Sequence, residues 1–93
     1  MEYIFVQWIH NDDNYPIELF SELDDDCYEL RKIEVYKDGH FGLASTDIQI
    51  GETCLGDVPV PPNHEIANSK EFKPAAILAG DFERKWKYYR MLI

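Results

Sequence analysis

The sequence predicts an α+β fold, a four-stranded antiparallel β-meander with a C-terminal α-helix packed on one face. Three patterns predict it. The first half of the chain holds four stretches rich in β-branched and aromatic residues, residues 45–62 contain two glycines and three prolines, and the last thirteen residues carry an apolar stripe at helical spacing. With 93 residues, 45% of them hydrophobic, the chain can form one core, so we predict a single domain over residues 1–93.

The first three strands are predicted from residue type and alternation. Residues 3–9, YIFVQWI, have apolar side chains at both odd and even positions, so both faces of the strand are apolar, which is typical of a central strand. The turn cluster 11–16, NDDNYP, separates them from residues 17–23, where apolar residues occupy alternate positions. In the third strand, residues 28–36, the apolar residues shift from even positions (Tyr28, Leu30) to odd positions (Ile33, Val35). A β-bulge near Arg31-Lys32 would return them to one buried face.

The hairpin between the third and fourth strands has two possible loops. A two-residue Asp-Gly loop would place polar residues opposite apolar ones on both faces. A three-residue loop with Gly39 in the left-handed region instead pairs Val35 with Phe41 and Ile33 with Leu43, so that all four side chains share one face. The hydrophobic pattern therefore predicts the three-residue loop.

The rest of the chain is predicted as a loop and two helical segments. The glycines and prolines of residues 45–62 exclude a long helix and leave room for a short strand at 47–50. Asn63 is predicted to cap one or two helical turns that end by Ser69, and Asp81 to cap the C-terminal helix. The stripe predicted to pack on the sheet is Phe82, Trp86, Tyr89 and Ile93.

Alternation divides the predicted sheet into a face under the helix and an open face. The open face mixes aromatic and acidic residues, a combination that suggests a binding surface. The loop 45–62 covering this face is an equal alternative. The residues assigned to it are Tyr3, Phe5, Gln7, Glu18, Phe20, Glu22, Lys32, Glu34, Tyr36 and His40.

Charge is distributed unevenly along the chain. The formal net charge is −9, and residues 1–30 contain nine acids and no Lys or Arg. Such a charge disfavours nucleic acid and anionic membranes and favours cationic partners. We find no apolar run long enough to span a bilayer and no secretory signal, so we expect a cytoplasmic protein with Cys27 and Cys54 reduced.

No motif for catalysis, cofactor or metal binding is present. The three histidines and two cysteines lack the paired spacing of metal sites, and a calcium loop starting at Asp12 would need glycine at Ile17 and glutamate at Leu23. The five glycines match neither a P-loop nor a dinucleotide-binding fingerprint. We therefore predict no cofactor, no metal and no enzymatic activity.

Several stretches resemble one family of small bacterial proteins. They are VQWIH at 6–10, SELDDD at 21–26, DG at 38–39, LG at 55–56 and PVPP at 59–62. Together they resemble DUF6881, over nearly the whole chain. The resemblance implies no catalytic residues, and members often have Arg in place of Cys27. Proteins of this size and charge are similar to immunity proteins of toxin systems, including contact-dependent inhibition, which is an analogy and not a motif match.

These observations favour a non-enzymatic cytoplasmic immunity protein that binds and neutralises a cationic, nuclease-like toxin domain. Toxins that act on nucleic acid need basic clefts, which an acidic protein can occupy. A regulatory or structural protein-binding module is the second hypothesis, and a small enzyme is the third. The residues predicted to bind are Asp12, Asp13, Tyr15, Glu18, Phe20, Glu22, Asp24, Asp25 and Asp26.

Overall fold

The structure, a computed structural model, describes residues 1–93 as one antiparallel sheet with two helices. The sheet has six strands in the order β5-β4-β3-β2-β1-β6. The elements in chain order are β1 (Glu2–Trp8), β2 (Glu18–Leu23), β3 (Glu29–Val35), β4 (Phe41–Ala44), β5 (Gln49–Ile50), α1 (Asn63–Ile66), β6 (Phe72–Ala76) and α2 (Ala79–Met91).

The α+β class and the C-terminal helix are confirmed, whereas the predicted strand count of four is wrong. The short strand predicted at 47–50 exists as β5, and β6 was not predicted. Because β6 contains Pro74 and two alanines, its sequence carries little strand signal. It forms because it pairs antiparallel with β1 at the edge of the sheet.

Hydrogen bonds explain how β6 tolerates its proline. Ile9 donates its backbone N–H to the Glu71 carbonyl, and Ile77 donates to the Tyr3 carbonyl. The backbone N–H and C=O groups of odd-numbered β6 residues therefore point toward β1. Pro74 is even-numbered, so its nitrogen lies on the outer edge of β6, where no donor is needed. Since β5, at the other edge, has only two residues, both edges are poor templates for an added strand.

The predicted β3–β4 hairpin is confirmed. Val35 pairs with Phe41 and Ile33 with Leu43, and Gly39 has a φ of 92°. A bulge next to Arg31 is present as well: the pairing of β2 with β3 shifts between Glu22 and Leu23, which leaves Leu30 as the extra residue. Hydrophobic pattern and turn chemistry therefore determine this part of the sheet.

The β2–β3 turn has the same hydrogen-bond pattern as the β3–β4 turn. Asp24 N–H donates to the Tyr28 carbonyl and Cys27 N–H to the Asp24 carbonyl, as Tyr36 and Gly39 do in the other turn. Cys27 occupies the left-handed position, with a φ of 67°. This conformation is costly for a side-chain-bearing residue, and the Asp24 carboxylate stabilises the turn by accepting the N–H groups of Asp26 and Tyr28.

Helix α2 covers one face of the sheet. Its predicted stripe is confirmed for Phe82, Trp86 and Tyr89, which are buried, but Ile93 lies beyond the end of the helix and is exposed. The helix begins at Ala79, before the predicted cap Asp81, whose carboxylate accepts the Leu78 N–H at 3.1 Å. The core under α2 consists of Phe20, Ile33, Val35, Leu43, Phe82, Trp86 and Tyr89.

The opposite face lies under residues 51–69, here called the covering segment. Thr53 is fully buried against this face and donates its hydroxyl to Glu34 at 2.7 Å. Further along, α1 begins at Asn63, which is its first residue and not its cap, and ends at Ile66. Two residues of the segment, Val60 and Ile66, pack with Phe72 and Leu19 on a small core of Ile4, Val6 and Leu23.

The predicted division of the sheet into a helix face and an open face is wrong. Phe5, Phe20, Ile33 and Leu43 are successive cross-strand neighbours, so they share the face under α2. Phe20 and Glu22 are each 7% exposed, although both were predicted on the open face. Odd and even positions of β1 and β2 both carry apolar residues because both faces of the sheet are covered. Alternation alone therefore could not assign each residue to a face.

Candidate protein-binding surfaces

The predicted acidic residues lie at two separate ends of the sheet. Asp12, Asp13 and Tyr15 are exposed in the turn between β1 and β2, here called the first turn. Asp25 and Asp26 are exposed in the β2–β3 turn at the other end of β2. A strand of six residues separates the turns by roughly 20 Å. The structure therefore does not join them into one patch, and Glu18 between them is half-buried.

Glu22 belongs to a buried polar network under α2. Arg31 donates to both Glu22 oxygens, at 2.8 and 2.9 Å, and Tyr3 donates its hydroxyl at 2.9 Å. Arg31 also binds Glu83 on α2, and its guanidinium lies 4.9 Å from the centre of the Phe82 ring. These hydrogen bonds attach α2 to the sheet and leave Glu22 no oxygen for a partner.

The same network changes the pKa values of its members. The hydrogen bonds from Arg31 hold the pKa of Glu22 below its ordinary value of 4.5, against the effect of burial. The pKa of Arg31 is raised, chiefly by Glu22, and the pKa of Tyr3 is raised because its hydroxyl donates to a carboxylate. All three shifts favour the hydrogen-bonded form, in which Glu22 is ionised and Arg31 and Tyr3 are protonated.

The first turn is held by His10. The ring Nδ1 accepts the Asp12 N–H at 3.0 Å, so it is unprotonated, and Nε2 lies 2.8 Å from the Pro16 carbonyl oxygen, to which it donates. With both nitrogens occupied, His10 has no free nitrogen to act as a base. Tyr15 is 51% exposed beside the Trp8 ring, 5.4 Å away between centroids, and is the exposed one of the two aromatic residues predicted to bind, since Phe20 is buried.

A cleft lies between the first turn and the β3–β4 turn, and we call it the turn cleft. Its volume is ≈ 290 Å³, and Asp13, Asn14, Tyr36, His40, Gly51 and Glu52 line it. The rings of Tyr36 and His40 are stacked at 4.0 Å. A second cavity beside it is lined by Asp13, Lys37 and Asp38. The sequence suggested Tyr36 and His40 through strand parity, but only the fold brings Asp13 and Glu52 beside them.

A second recess, the side groove, lies between the sheet and the covering segment. Its volume is ≈ 380 Å³, and its apolar walls include Ile4, Leu19, Ile66 and Phe72. Lys32 and Glu29 form an ion pair of 3.3 Å at its polar end, and Glu29 also accepts the Gly56 N–H. Sequence reasoning missed this groove because it predicted no contact between residues 63–72 and the sheet.

Other classes of site find no support in the geometry. No three His, Cys, Asp or Glu side chains are arranged to hold a metal ion, and Cys27 and Cys54 are free thiols. Neither helix is both long and apolar enough to cross a lipid bilayer. The main exposed acidic segments and recesses of the surface are the two acidic turns, the turn cleft and the side groove.

Comparison with known proteins assigns the family. No curated protein and no solved structure matches the chain significantly. One family, described as a domain of unknown function (DUF6881), matches residues 2–91, which is nearly the whole chain. The match agrees with the resemblance seen in the motifs at 6–10, 21–26 and 59–62. The chain therefore belongs to the DUF6881 family.

Proposed function

We propose that this protein is a cytoplasmic, non-enzymatic immunity protein that binds and neutralises a cationic, nuclease-like toxin domain. One observation carries the proposal: a net charge of −9 on 93 residues, with exposed acids on turns at both ends of the sheet. Such charge accelerates encounter with a basic cleft and opposes binding to nucleic acid. Phe20 and Glu22 have no part in this surface, since both are buried under α2.

The backbone of each acidic turn is hydrogen-bonded to an aspartate side chain, which favours tight binding. In each of three turns an aspartate carboxylate accepts the backbone N–H two residues further on: Asp12 from Asn14, Asp24 from Asp26 and Asp38 from His40. These bonds fix the backbone beside the exposed carboxylates of Asp13 and Asp25. A preorganised surface loses little conformational entropy when it binds.

The sheet edges argue against recognition by strand addition. The outer edge of β6 contains Pro74, and β5 is two residues long. Contacts through side chains on the turns and recesses are therefore the favoured mode of binding for a toxin domain.

A regulatory protein-binding module is the second candidate function. The side groove favours it, because an apolar recess of ≈ 380 Å³ with a polar end is typical of sites for a small ligand or a partner's side chain. The gene neighbourhood distinguishes the two functions: a toxin gene adjacent to this one supports the immunity role, and an isolated gene supports the module.

The test measures binding kinetics against the toxin domain encoded beside this gene. Replacing Asp12, Asp13, Asp25 and Asp26 with Asn should slow association by about tenfold or more at low salt, with the difference shrinking as ionic strength rises. Asp24 is kept because its carboxylate accepts two backbone N–H groups, whereas Asp12 accepts one, which the amide oxygen of an asparagine can also accept. The control replaces other exposed acids, Asp57→Asn and Glu65→Gln, and should change the rate much less. Unchanged binding and protection by the fourfold variant at every salt concentration would contradict the proposal.

A further inference from the structure

We infer that the turn cleft binds the guanidinium group of one arginine side chain presented by the partner. This inference rests on the proposed function only in taking the partner to be cationic. It assigns a recognition role to Tyr36 and Glu52, which lie outside the acidic turns, and it names the group that each would contact.

The dimensions of the cleft suit a single side chain. Its ≈ 290 Å³ is at the lower end of the range for small-molecule sites, too small for a helix or a strand. Gly42 and Gly51 contribute only backbone atoms to its lining. A long, unbranched side chain with a planar head group is the shape that enters such a recess.

The charge around the cleft is negative, and two of its carboxylates are unpaired. Asp13 and Glu52 line it, and neither carboxylate takes part in an ion pair or hydrogen bond within the chain. Glu34, which accepts the Thr53 hydroxyl, adds a third negative charge close to Tyr36, and Asp38, which is paired with His40, adds a fourth across the neighbouring cavity. Lys37 is the one lysine or arginine that lines either recess, so the acids outnumber the lysines and arginines.

Tyr36 supplies an independent observation that points to a ligand. It is 9% exposed and lines the cleft, yet its hydroxyl makes no hydrogen bond within the chain. Trp8 Nε1 is the sole fully buried side-chain polar atom without a partner, so the Tyr36 hydroxyl is open to solvent, and the turn cleft is the recess that its side chain lines. Burial, with the charges of Glu34 and Glu52, raises the pKa of Tyr36, which keeps the hydroxyl protonated and its lone pairs free to accept.

A guanidinium satisfies these groups better than an ammonium. Its planar fork donates several N–H bonds in fixed directions, so it can bind Asp13 or Glu52 while also donating to the Tyr36 oxygen. It also lies flat against aromatic rings, and the stacked pair Tyr36–His40 forms one wall of the cleft. Arginine is therefore the favoured occupant over lysine.

The test is an NMR titration of the protein with N-acetyl-arginine amide. We expect chemical shift changes concentrated at Asp13, Tyr36, His40 and Glu52, with the lysine analogue weaker and the uncharged isostere N-acetyl-citrulline amide inactive. The variant Asp13→Asn/Glu52→Gln should bind the probe at least fivefold more weakly. Tyr36→Phe, which removes only the hydroxyl, should weaken arginine binding about twofold.

The control variant Asp25→Asn/Asp26→Asn removes two charges at the opposite end of the sheet and should bind the probe as the parent does. Equal weakening by the control, or shift changes spread over both acidic turns, would overturn the inference, because general attraction would then explain the binding. The spectrum of each variant reports whether it remains folded, and the titration of the parent tests the inference without any variant.

The outcome is separable from that of the proposed function. Failure of arginine to bind the cleft, with partner association still slowed by the acidic-turn variant, overturns this inference alone. Arginine binding at the cleft, with no effect of the acidic turns on any toxin domain, supports the inference and overturns the immunity role.

Discussion

The two faces of the sheet are covered in different ways. Under α2, seven buried residues form a continuous core, and the Arg31–Glu22 network connects the helix to the sheet. Under the covering segment, three buried residues form the core, and half-buried side chains such as Ile66 complete it. The first face is closed, whereas both the side groove and the turn cleft adjoin the second.

This difference follows from the regularity of the two coverings. A helix with an apolar residue every three or four positions presents one continuous stripe to the sheet. A segment with three prolines and a four-residue helix meets the sheet at separated points, Thr53, Val60 and Ile66, and leaves recesses between them. We therefore expect stability to reside mainly on the α2 face and recognition on the other.

The largest expected effect is on the α2 face. Trp86→Ala should lower the free energy of unfolding by about 3 to 5 kcal/mol, because it removes a buried ring and leaves a cavity. Ile66→Ala, at a half-buried position under the covering segment, should cost roughly 1 to 2 kcal/mol. Urea unfolding measures both, with the exposed Tyr88→Ala as the control. Equal losses at the two positions would remove the distinction between the faces.

A second test breaks the polar network on the α2 face. Glu22→Gln should lower the free energy of unfolding by about 2 to 3 kcal/mol at neutral pH, because the half-buried Arg31 loses the more buried of its two charged partners and keeps only Glu83. Glu65→Gln, an exposed acid on the covering segment, serves as the matched control and should have little effect.

The pH dependence of stability identifies the Glu22 contribution. Since the pKa of Glu22 in the folded protein lies below 4.5, the unfolded chain binds more protons in acid. Its stabilisation is therefore complete above pH 4.5 and is lost as the pH falls through the folded-state pKa. Unfolding measured between pH 3 and 6 should show a smaller loss of stability for Glu22→Gln than for the parent, roughly in this window. If the stabilities of the parent and of Glu22→Gln fall in parallel with pH, the ionised Glu22 carboxylate is not stabilised in the folded protein.

The smallest expected effect is local to the other face. A Cβ added at Gly42 would overlap the Thr53 hydroxyl and lie 2.9 Å from the Ile50 carbonyl oxygen. Gly42→Ala should therefore displace Thr53 from Glu34 at a cost of about 1 to 2 kcal/mol. Hydrogen exchange should accelerate at the Gly56 and Val60 amides while the α2 amides keep their protection. Equal acceleration in α2 would show that the two coverings unfold together.

Local sequence patterns predicted those parts of the fold that depend on residues close together in the chain. The pairing of Val35 with Phe41 follows from matching two apolar stretches across a turn that requires Gly39. The stripe of Phe82, Trp86 and Tyr89 follows from helical spacing alone. Both arguments need only residues close together in the chain.

The candidate site was predicted in part. Asp13 was singled out from the charge of the first turn, and Tyr36 and His40 from strand parity, but Glu52 was not singled out. Glu52 reaches the turn cleft because Thr53 anchors the covering segment above Gly42, a contact between distant elements that no local pattern contains.

The sequence by itself determined the first four strands, the hairpin register, the stabilising helix stripe and the uneven charge, because each depends on residue type and short-range spacing. Tertiary structure alone decided that Phe20 and Glu22 lie under α2, that Phe72–Ala76 form an edge strand and that the covering segment leaves recesses. The physical reason is that successive side chains of a strand point to opposite faces of the sheet, whichever face is buried. When both faces carry apolar residues, their long-range coverings decide which side chains pack under the helix and which remain beside the recesses.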